Sequence, residues 1–384
     1  MGGAARDGRV IVESRWVPGP GLVPPEPAAH GRGETSMTSE FRIGYLGSGA
    51  HVPATELSNA DLERLVDTSD EWIRRRTGIQ TRRVLDGRET ILDMTVQAAR
   101  RALEDAGLEP GDIDDIRVAI STWMRIPSLA TCLQHELGIE GASASDVSAG
   151  CAGFVYAVED ASNKMLVEHT RYGRETRALV VGVDGLSDIT DWTDRNTCVL
   201  LGDGAGAVVL GRVDEGGILA THTDADGRHG GLLFSEPPPA DHVHNSNGAP
   251  HVDGHGARQF LRMDGRRVFP AAVATMVSDI RRVLEKYHLA TGEHIGVEDL
   301  DYIFPHQANL RILEMVAKRL GAPLEKVYTD GIVKYGNTSA ASIPLGYEDA
   351  RSRWEGDAGS GLVVDVAFGA GFASGAILRE VPRR

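Results

Sequence analysis

Cys151, His306 and Asn337 are the residues of this chain whose types and settings suit nucleophilic chemistry. Cys151 stands in Ser145-Asp-Val-Ser-Ala-Gly-Cys-Ala-Gly-Phe154. A strand-like start from Asp146 to Ser148 runs into Ala149-Gly150. After the Cys, Phe154, Val155, Val158, Ala161 and Met165 recur on one side of a helix. Small residues around the Cys predict a tight strand-to-helix turn with the sulfur at a helix N-terminus. Unpaired N–H groups and the macrodipole there favour an anion. The thiol is therefore expected to be acidic and reactive. The competing reading is a small buried apolar residue, a common fate of a free Cys.

His306 follows Pro305 in Phe304-Pro-His-Gln-Ala-Asn-Leu-Arg311, and Asn337 follows Gly336 in Tyr335-Gly-Asn-Thr-Ser-Ala340. Both are read as strand-to-helix junctions, with the helix after His306 running from about 306 to 320. A lone His or Asn in such a place is usually a cap. Three junctions carrying Cys, His and Asn can instead converge on one face of a sheet. Papain-like proteases use the same three types, but their local Cys signature is absent and Cys151 is far from the N-terminus.

The elements that must hold these residues alternate. Strands are expected at 41–49, 116–120, 178–183, 300–304, 327–329, 361–368 and 376–380. Helices are expected at 59–66, 90–106, 128–137, after Cys151, at 268–288, after His306, and from Tyr335 to about Trp354. This is an α/β pattern, and its order is roughly duplicated. The expected organisation is a disordered Gly/Pro-rich leader over 1–39, a first half over 40–212 carrying Cys151, and a second half over 213–384 carrying His306 and Asn337. Met37 is the expected natural start. The second half holds an irregular insertion at about 235–259 with His242, His244, His251 and His255. Their spacing is irregular, so a solvated loop is favoured over a metal site. Gly202, Gly204 and Gly206 precede a β-branched strand run and not a helix, so a glycine turn is favoured over a nucleotide loop.

The chain has 384 residues, 41% of them hydrophobic, and a formal net charge of −15. That charge argues against nonspecific binding to nucleic acid or anionic membranes. It leaves room for an acidic partner wherever positive charge is concentrated locally. Cys132, Cys151 and Cys198 form no metal spacing, and so sparse a set fits a reducing cytoplasm. No apolar run is long enough for a membrane span.

Taken together, Thr68-Ser-Asp-Glu-Trp-Ile-Arg-Arg-Arg-Thr-Gly-Ile79, Asp146-Val-Ser-Ala-Gly-Cys-Ala-Gly-Phe154, Thr193-Asp-Arg195, Gly202-Asp-Gly-Ala-Gly-Ala207, Pro305-His-Gln-Ala-Asn-Leu-Arg311, Gly336-Asn-Thr-Ser-Ala-Ala-Ser342 and Phe368-Gly-Ala-Gly-Phe372 resemble one family over roughly residues 41–380. That family is β-ketoacyl-acyl-carrier-protein synthase III, a condensing enzyme of the thiolase superfamily. The resemblance implies a thiolase-fold homodimer, layered α/β/α/β/α. It implies that acyl-CoA acylates Cys151 and that malonyl-acyl carrier protein is then decarboxylated and condensed, with no cofactor. The implied oxyanion donors are the backbone N–H groups of Cys151 and Ala370. His306 Nε2 and Asn337 Nδ2 would hold the malonyl thioester oxygen, which suits an enolate's need for neutral N–H donors. Trp72 and Arg195 match a pair that sandwiches adenine. Arg76, Phe269 and Asn309 match further CoA or pantetheine contacts, and Arg311, Lys318 and Arg319 match a basic carrier-docking patch.

Some positions depart from the family pattern. Ala370 replaces a common Gly, though only its N–H is needed. Ile126 replaces an aromatic that lines the partner subunit's acyl pocket. Pro270 replaces a common Lys after Phe269, and Ala373-Ser374 a common Thr-Trp. Alternatives that remain are a same-fold acyltransferase to an oxygen, nitrogen or carrier thiol, a non-catalytic partner subunit and, weakest, a dinucleotide oxidoreductase. Asn337 favours condensation, because plain transfer has less need of an enolate-stabilising pair.

Overall fold

The computed structural model describes residues 41–123, 125–235, 260–354 and 361–381. The leader, Met37 and the four histidines of the insertion lie outside the described residues. The strands of the two main sheets are β1 Arg42–His51, β2 Asp115–Ala119, β3 Ser143–Val147, β4 Ala178–Gly185, β5 Asp203–Val213, β6 Gly217–Ala225, β7 Tyr302–Pro305, β8 Gly361–Phe368 and β9 Ala373–Val381. The longer helices are α1 Asp70–Thr77, α2 Ile91–Ala106, α3 Leu129–Leu137, α4 Gly153–Tyr172, α5 Gly265–Thr291, α6 Leu310–Leu320 and α7 Ser342–Trp354.

The first sheet has the order β1-β5-β4-β2-β3, and the second β6-β9-β8-β7. Across the first sheet the pairings run antiparallel, antiparallel, parallel, parallel. Across the second they run antiparallel, antiparallel, parallel, and Val327 then adds a parallel bridge to Ile303. Each sheet therefore arises from the same chain order, strand-helix-strand-helix-strand-helix-strand-strand, with the Val327 bridge standing for the third strand in the second. The strand expected at 327–329 shrinks to that single bridge.

Helices α2 and α3 cover the outer face of the first sheet; α5 covers that of the second, and α6 packs beside α5 and shares its apolar cluster. Helix α4 packs on β2 and β4 from one side and on β6, β8 and β9 from the other, while α7 lies against β1 and β5. Because α4 is covered on both sides, it is apolar on more than one stripe. Phe154, Val155, Val158, Ala161 and Met165 are all buried, joining Phe304, Ile343 and Ile377 in a central cluster. Burying a side chain such as Phe154 contributes about 2–3 kcal/mol. Two further clusters fill the spaces beneath the outer helix layers. One buried ion pair crosses the centre: Arg379 Nε lies 2.9 Å from Asp365 Oδ2, and its guanidinium sits 4.7 Å from the Tyr347 ring and 4.8 Å from that of Tyr45.

Local signals set several boundaries. Thr90 and Asp93 form a capping box that starts α2. The helix expected over 59–66 covers only Asn59–Leu62, with Ser58 as its cap in place of Asn59.

Candidate active site

After β3 the chain makes a 3-10 turn, Gly150–Ala152, that leads directly into α4. Cys151 thus sits at the N-terminal end of a long helix, as expected. Gly150 has φ +54, and a Cβ there would lie 2.7 Å from the backbone N of Ala370. Only Gly fits such a backbone with no room for a side chain. A Cβ on Gly369 would lie 2.4 Å from the backbone N of Cys151. The Cys turn and the turn between β8 and β9 are therefore in direct contact. Both proposed oxyanion N–H groups, on Cys151 and Ala370, belong to these abutting turns.

Cys151, His306 and Asn337 come together around residues 337–342. The Ser339 hydroxyl donates to Cys151 Sγ at 3.4 Å. Asn337 Oδ1 accepts the Ser339 N–H at 2.9 Å, which leaves the Nδ2 donors to face elsewhere. His306 Nδ1 lies 2.8 Å from Ser342 Oγ, and Ser342 Oγ also accepts the Gln307 N–H at 3.3 Å. Ser339 and Ser342 were not singled out in the sequence. In Asn-Thr-Ser-Ala-Ala-Ser a hydroxyl residue at a helix start reads as a cap, and nothing in the spacing separates it from one.

Two expected settings change. His306 follows β7 directly, but α6 begins only at Leu310, with Asn309 as its cap. The loop between is held by Gln307, whose Nε2 donates to Pro305 O at 2.7 Å and Tyr328 O at 3.0 Å, while Oε1 accepts the Ile332 N–H. Asn337 is not at a strand-to-helix junction. It lies between a short helix, Asp330–Tyr335, and the 3-10 turn Ser339–Ala341. Its N–H donates to Leu200 O at 2.8 Å, and its C=O accepts from Gly202 N at 2.9 Å. A Cβ on Gly202 would strike Tyr335 O at 2.2 Å. Gly202 at the entrance to β5 therefore lets the Asn337 loop approach the backbone, while Gly204 and Gly206 lie inside the strand, so the motif is neither the expected turn between two strands nor a nucleotide-type helix start.

Burial governs the charges here. It pushes His306 down to about 4, with a Ser339 backbone hydrogen bond opposing, so the ring is neutral at pH 7. Burial pushes the Cys151 thiol up to about 12; the Ser339 hydrogen bond acts to lower it and the Asp184 charge to raise it. This corrects the expectation of an acidic resting thiol. The helix N-terminus favours the anion, but burial opposes it more strongly. Asp184 is itself buried and raised, although Oδ1 accepts from Ser121 N, Thr122 N and Thr122 Oγ1.

A cavity of about 1040 Å³ is lined by Trp72, Arg76, Arg195, Phe269, Asn309 and Arg311. The Arg195 guanidinium stacks on Trp72 at 4.9 Å and that of Arg76 at 5.6 Å, while Arg311 lies 5.6 Å from the Phe269 ring. A base between Trp72 and Arg195 needs roughly 7 Å, two contact distances. The expected sandwich is thus closed, with Arg195 held against Trp72 and bonded to Asp67 O at 2.7 Å. Asn309 spends its side chain on the cap of α6, accepting from Arg311 N at 3.0 Å, and on Arg76 O at 3.1 Å. Lys318 and Arg319 are exposed in the last turn of α6. They stand about 10 Å beyond Arg311 along the helix, so Arg311 belongs to the cavity and the other two do not. Ile126 is 99% exposed and lines no part of this cavity. Leu200 and Asn309 both line the cavity. Leu200 O holds Asn337, and Asn309 lies on the His306 loop, so two short segments tie the cavity to the catalytic-type residues.

Among the described residues no cluster of His, Cys, Asp and Glu is placed to hold a metal ion, and no helix is long and apolar enough to cross a membrane.

Two duplicated halves, layered α/β/α/β/α and meeting over a cysteine at the start of a central helix, define the thiolase fold. Residues 145–227 match the family model for 3-oxoacyl-[acyl-carrier-protein] synthase III, and residues 291–381 match the model for its C-terminal part. The chain is 42% identical over 340 residues to a β-ketoacyl-[acyl-carrier-protein] synthase III of Caldanaerobacter subterraneus subsp. tengcongensis, covering 87% of this chain and 96% of that one. The crystal structure of 3-oxoacyl-[acyl-carrier-protein] synthase III from Aquifex aeolicus VF5 aligns with a TM-score of 0.76 at 39% identity, covering 88% of this chain and 100% of that one. The priming β-ketosynthase of the R1128 polyketide biosynthetic pathway aligns with a TM-score of 0.77 at 36% identity, covering 90% and 98%. The chain belongs to the β-ketoacyl-acyl-carrier-protein synthase III family.

Proposed function

We propose that this protein condenses an acyl group from acyl-CoA with malonyl-acyl carrier protein, priming a fatty-acid or polyketide chain. The observation that carries the reading is the meeting of Cys151, His306 and Asn337 around one segment, next to an arginine-lined cavity. Cys151 Sγ attacks the acyl-CoA carbonyl, and the N–H groups of Cys151 and Ala370 hold the oxyanion. The C–S bond to CoA breaks, and CoA leaves with the proton the thiol gives up. The malonyl thioester then takes its place. With Ser342 donating to Nδ1, the neutral His306 ring carries its proton on Nε2 and donates to the thioester oxygen beside Asn337 Nδ2. The bond to the carboxylate breaks, carbon dioxide departs, and the enolate carbon attacks acyl-Cys151. Cys151 is released and the β-ketoacyl carrier forms. Substrates and side chains complete this chemistry, so no cofactor is invoked.

Trp72, Arg76 and Arg195 suit the adenine and phosphates of CoA, with Phe269 and Asn309 nearer the pantetheine. Arg311, Lys318 and Arg319 suit an acidic carrier despite the chain's net charge of −15. β3 ends the first sheet with one neighbour, and Ile126 stands exposed on the loop before α3. Both features suit a homodimer in which Ile126 reaches the partner's acyl pocket. A cytoplasmic location fits an enzyme that uses CoA and carrier protein.

The test is His306→Ala and Asn337→Ala, each assayed for acylation of Cys151 and for carbon dioxide release from malonyl carrier. Acylation should persist while carbon dioxide release falls by about 10²–10³-fold, the usual effect of losing one such donor. Normal condensation by the Asn337 variant contradicts the assigned role and points to acyl transfer without carbon–carbon bond formation.

A further inference from the structure

Ser339 is a non-glycine residue held at φ +52, almost wholly buried, at the meeting point of the two halves. Its turn packs on β4. Its N–H is bound by Asn337, and its hydroxyl donates to Cys151 Sγ at 3.4 Å. Backbone strain of this kind costs about 1–3 kcal/mol and persists only where surrounding contacts impose it.

Asp184 lies fully buried on β4, the strand on which the Ser339 turn packs. Its Oδ1 takes three hydrogen bonds, from Ser121 N, Thr122 N and Thr122 Oγ1. Its Oδ2 is buried and left without a partner. The Ser339 hydroxyl also acts on this carboxyl, drawing it down against the effect of burial. A serine has one hydroxyl proton. When that proton is on the sulfur, Asp184 Oδ2 is bare; when it turns to Asp184, the sulfur loses its donor.

We infer that the Ser339 hydroxyl, contested by Cys151 and the buried Asp184, sets whether the nucleophile rests as thiol or thiolate. Ser339 touches the reacting sulfur, and Asp184 acts through Ser339 as a positioning residue. Of the titratable groups around this turn, Asp184 on β4 acts on the sulfur as a like charge, and His306, on the loop after β7, meets the Ser339 backbone as a neutral ring. The 337–341 segment and the turn between β8 and β9 bring no titratable side chain. With the hydroxyl turned to Asp184, the resting thiol is quiet. With it turned to the sulfur, the thiolate is less disfavoured. The inference rests on Cys151 being the nucleophile, but not on condensation.

The experiment is the rate of iodoacetamide alkylation of Cys151 in the full chain across pH, followed by peptide mass spectrometry. It reads the thiolate directly and needs no acyl or malonyl substrate, so its failure is distinct from failure of the proposed reaction. Asp184→Asn keeps an oxygen for the Ser121 and Thr122 donors, and its amide can donate to Ser339 Oγ. That frees the hydroxyl proton for the sulfur, so alkylation at neutral pH should rise about tenfold, the effect of one pKa unit. Ser339→Ala should lower it about tenfold. Ser339→Gly, which suits the positive φ, should do the same. In the Ser339→Gly background, Asp184→Asn should lose most of its gain. Equal slowing by Asp184→Asn and Ser339→Gly, no change in either, or a full Asp184→Asn gain without Ser339 would each overturn the inference.

Discussion

At the scale of single residues, the same burial that quiets Cys151 shapes His306. Its folded value of about 4 lies below the ordinary 6.5. Between those values the unfolded chain binds a proton that the folded chain refuses. The contribution of this group to stability is therefore complete above about pH 6.5 and is lost as pH falls toward 4. Activity should follow the same group. Single-turnover decarboxylation by pre-acylated enzyme should show no acid limb near 6.5 between roughly pH 5.5 and 8. An inflection at the ordinary imidazole value would mean the ring is solvated in the working site. The residue types themselves were readable, because Cys, His and Asn each stood in a short motif with small or rigid neighbours. The acidity of the thiol is overstated by the sequence, because a helix N-terminus is visible there and desolvation is not. Ser339, Ser342 and Asp184 went unseen because they act only through partners brought close by folding.

Among the elements, helices were readable where a cap and a periodic apolar face coincide, as in α2 between its Thr90 cap and Gly107. The sequence pattern starts α6 too early, because the Gln307 loop looks helical in sequence yet is pinned by side-chain bonds to Pro305 and Tyr328. The Asn337 bridge to Leu201 could not be read, since one backbone pair leaves no period-2 pattern. The β8–β9 hairpin carries the Asp365–Arg379 pair, which alternation alone would have marked as an error in a buried strand. Arg379→Ala leaves a buried carboxylate unpaired and should cost about 3–5 kcal/mol in urea denaturation. A loss under about 1 kcal/mol would mean that water reaches the pair.

For the whole molecule, the duplicated strand order explains why residues from distant parts of the sequence meet. Cys151 opens α4 in the first half, and Ser339 lies in the turn that opens α7 at the matching place in the second. The sequence suggested duplication from element order, and the sheet pairings make it concrete. In the cavity the Arg195 guanidinium stacks directly on Trp72 at 4.9 Å. Arg195→Ala should raise KM for acyl-CoA about tenfold with little change in kcat, as expected for loss of about 1–2 kcal/mol of ground-state binding. A drop in kcat with unchanged KM would move Arg195 away from donor binding.

The central claim is that Cys151 carries an acyl group to a carbon nucleophile. The most direct measurement is intact-protein and peptide mass spectrometry after mixing with a panel of acyl-CoAs, then with malonyl carrier protein. The account predicts an acyl adduct on Cys151 that is discharged by malonyl carrier with release of carbon dioxide and formation of a β-ketoacyl carrier. An adduct that ignores malonyl carrier but is removed by an alcohol, an amine or a carrier thiol would contradict it.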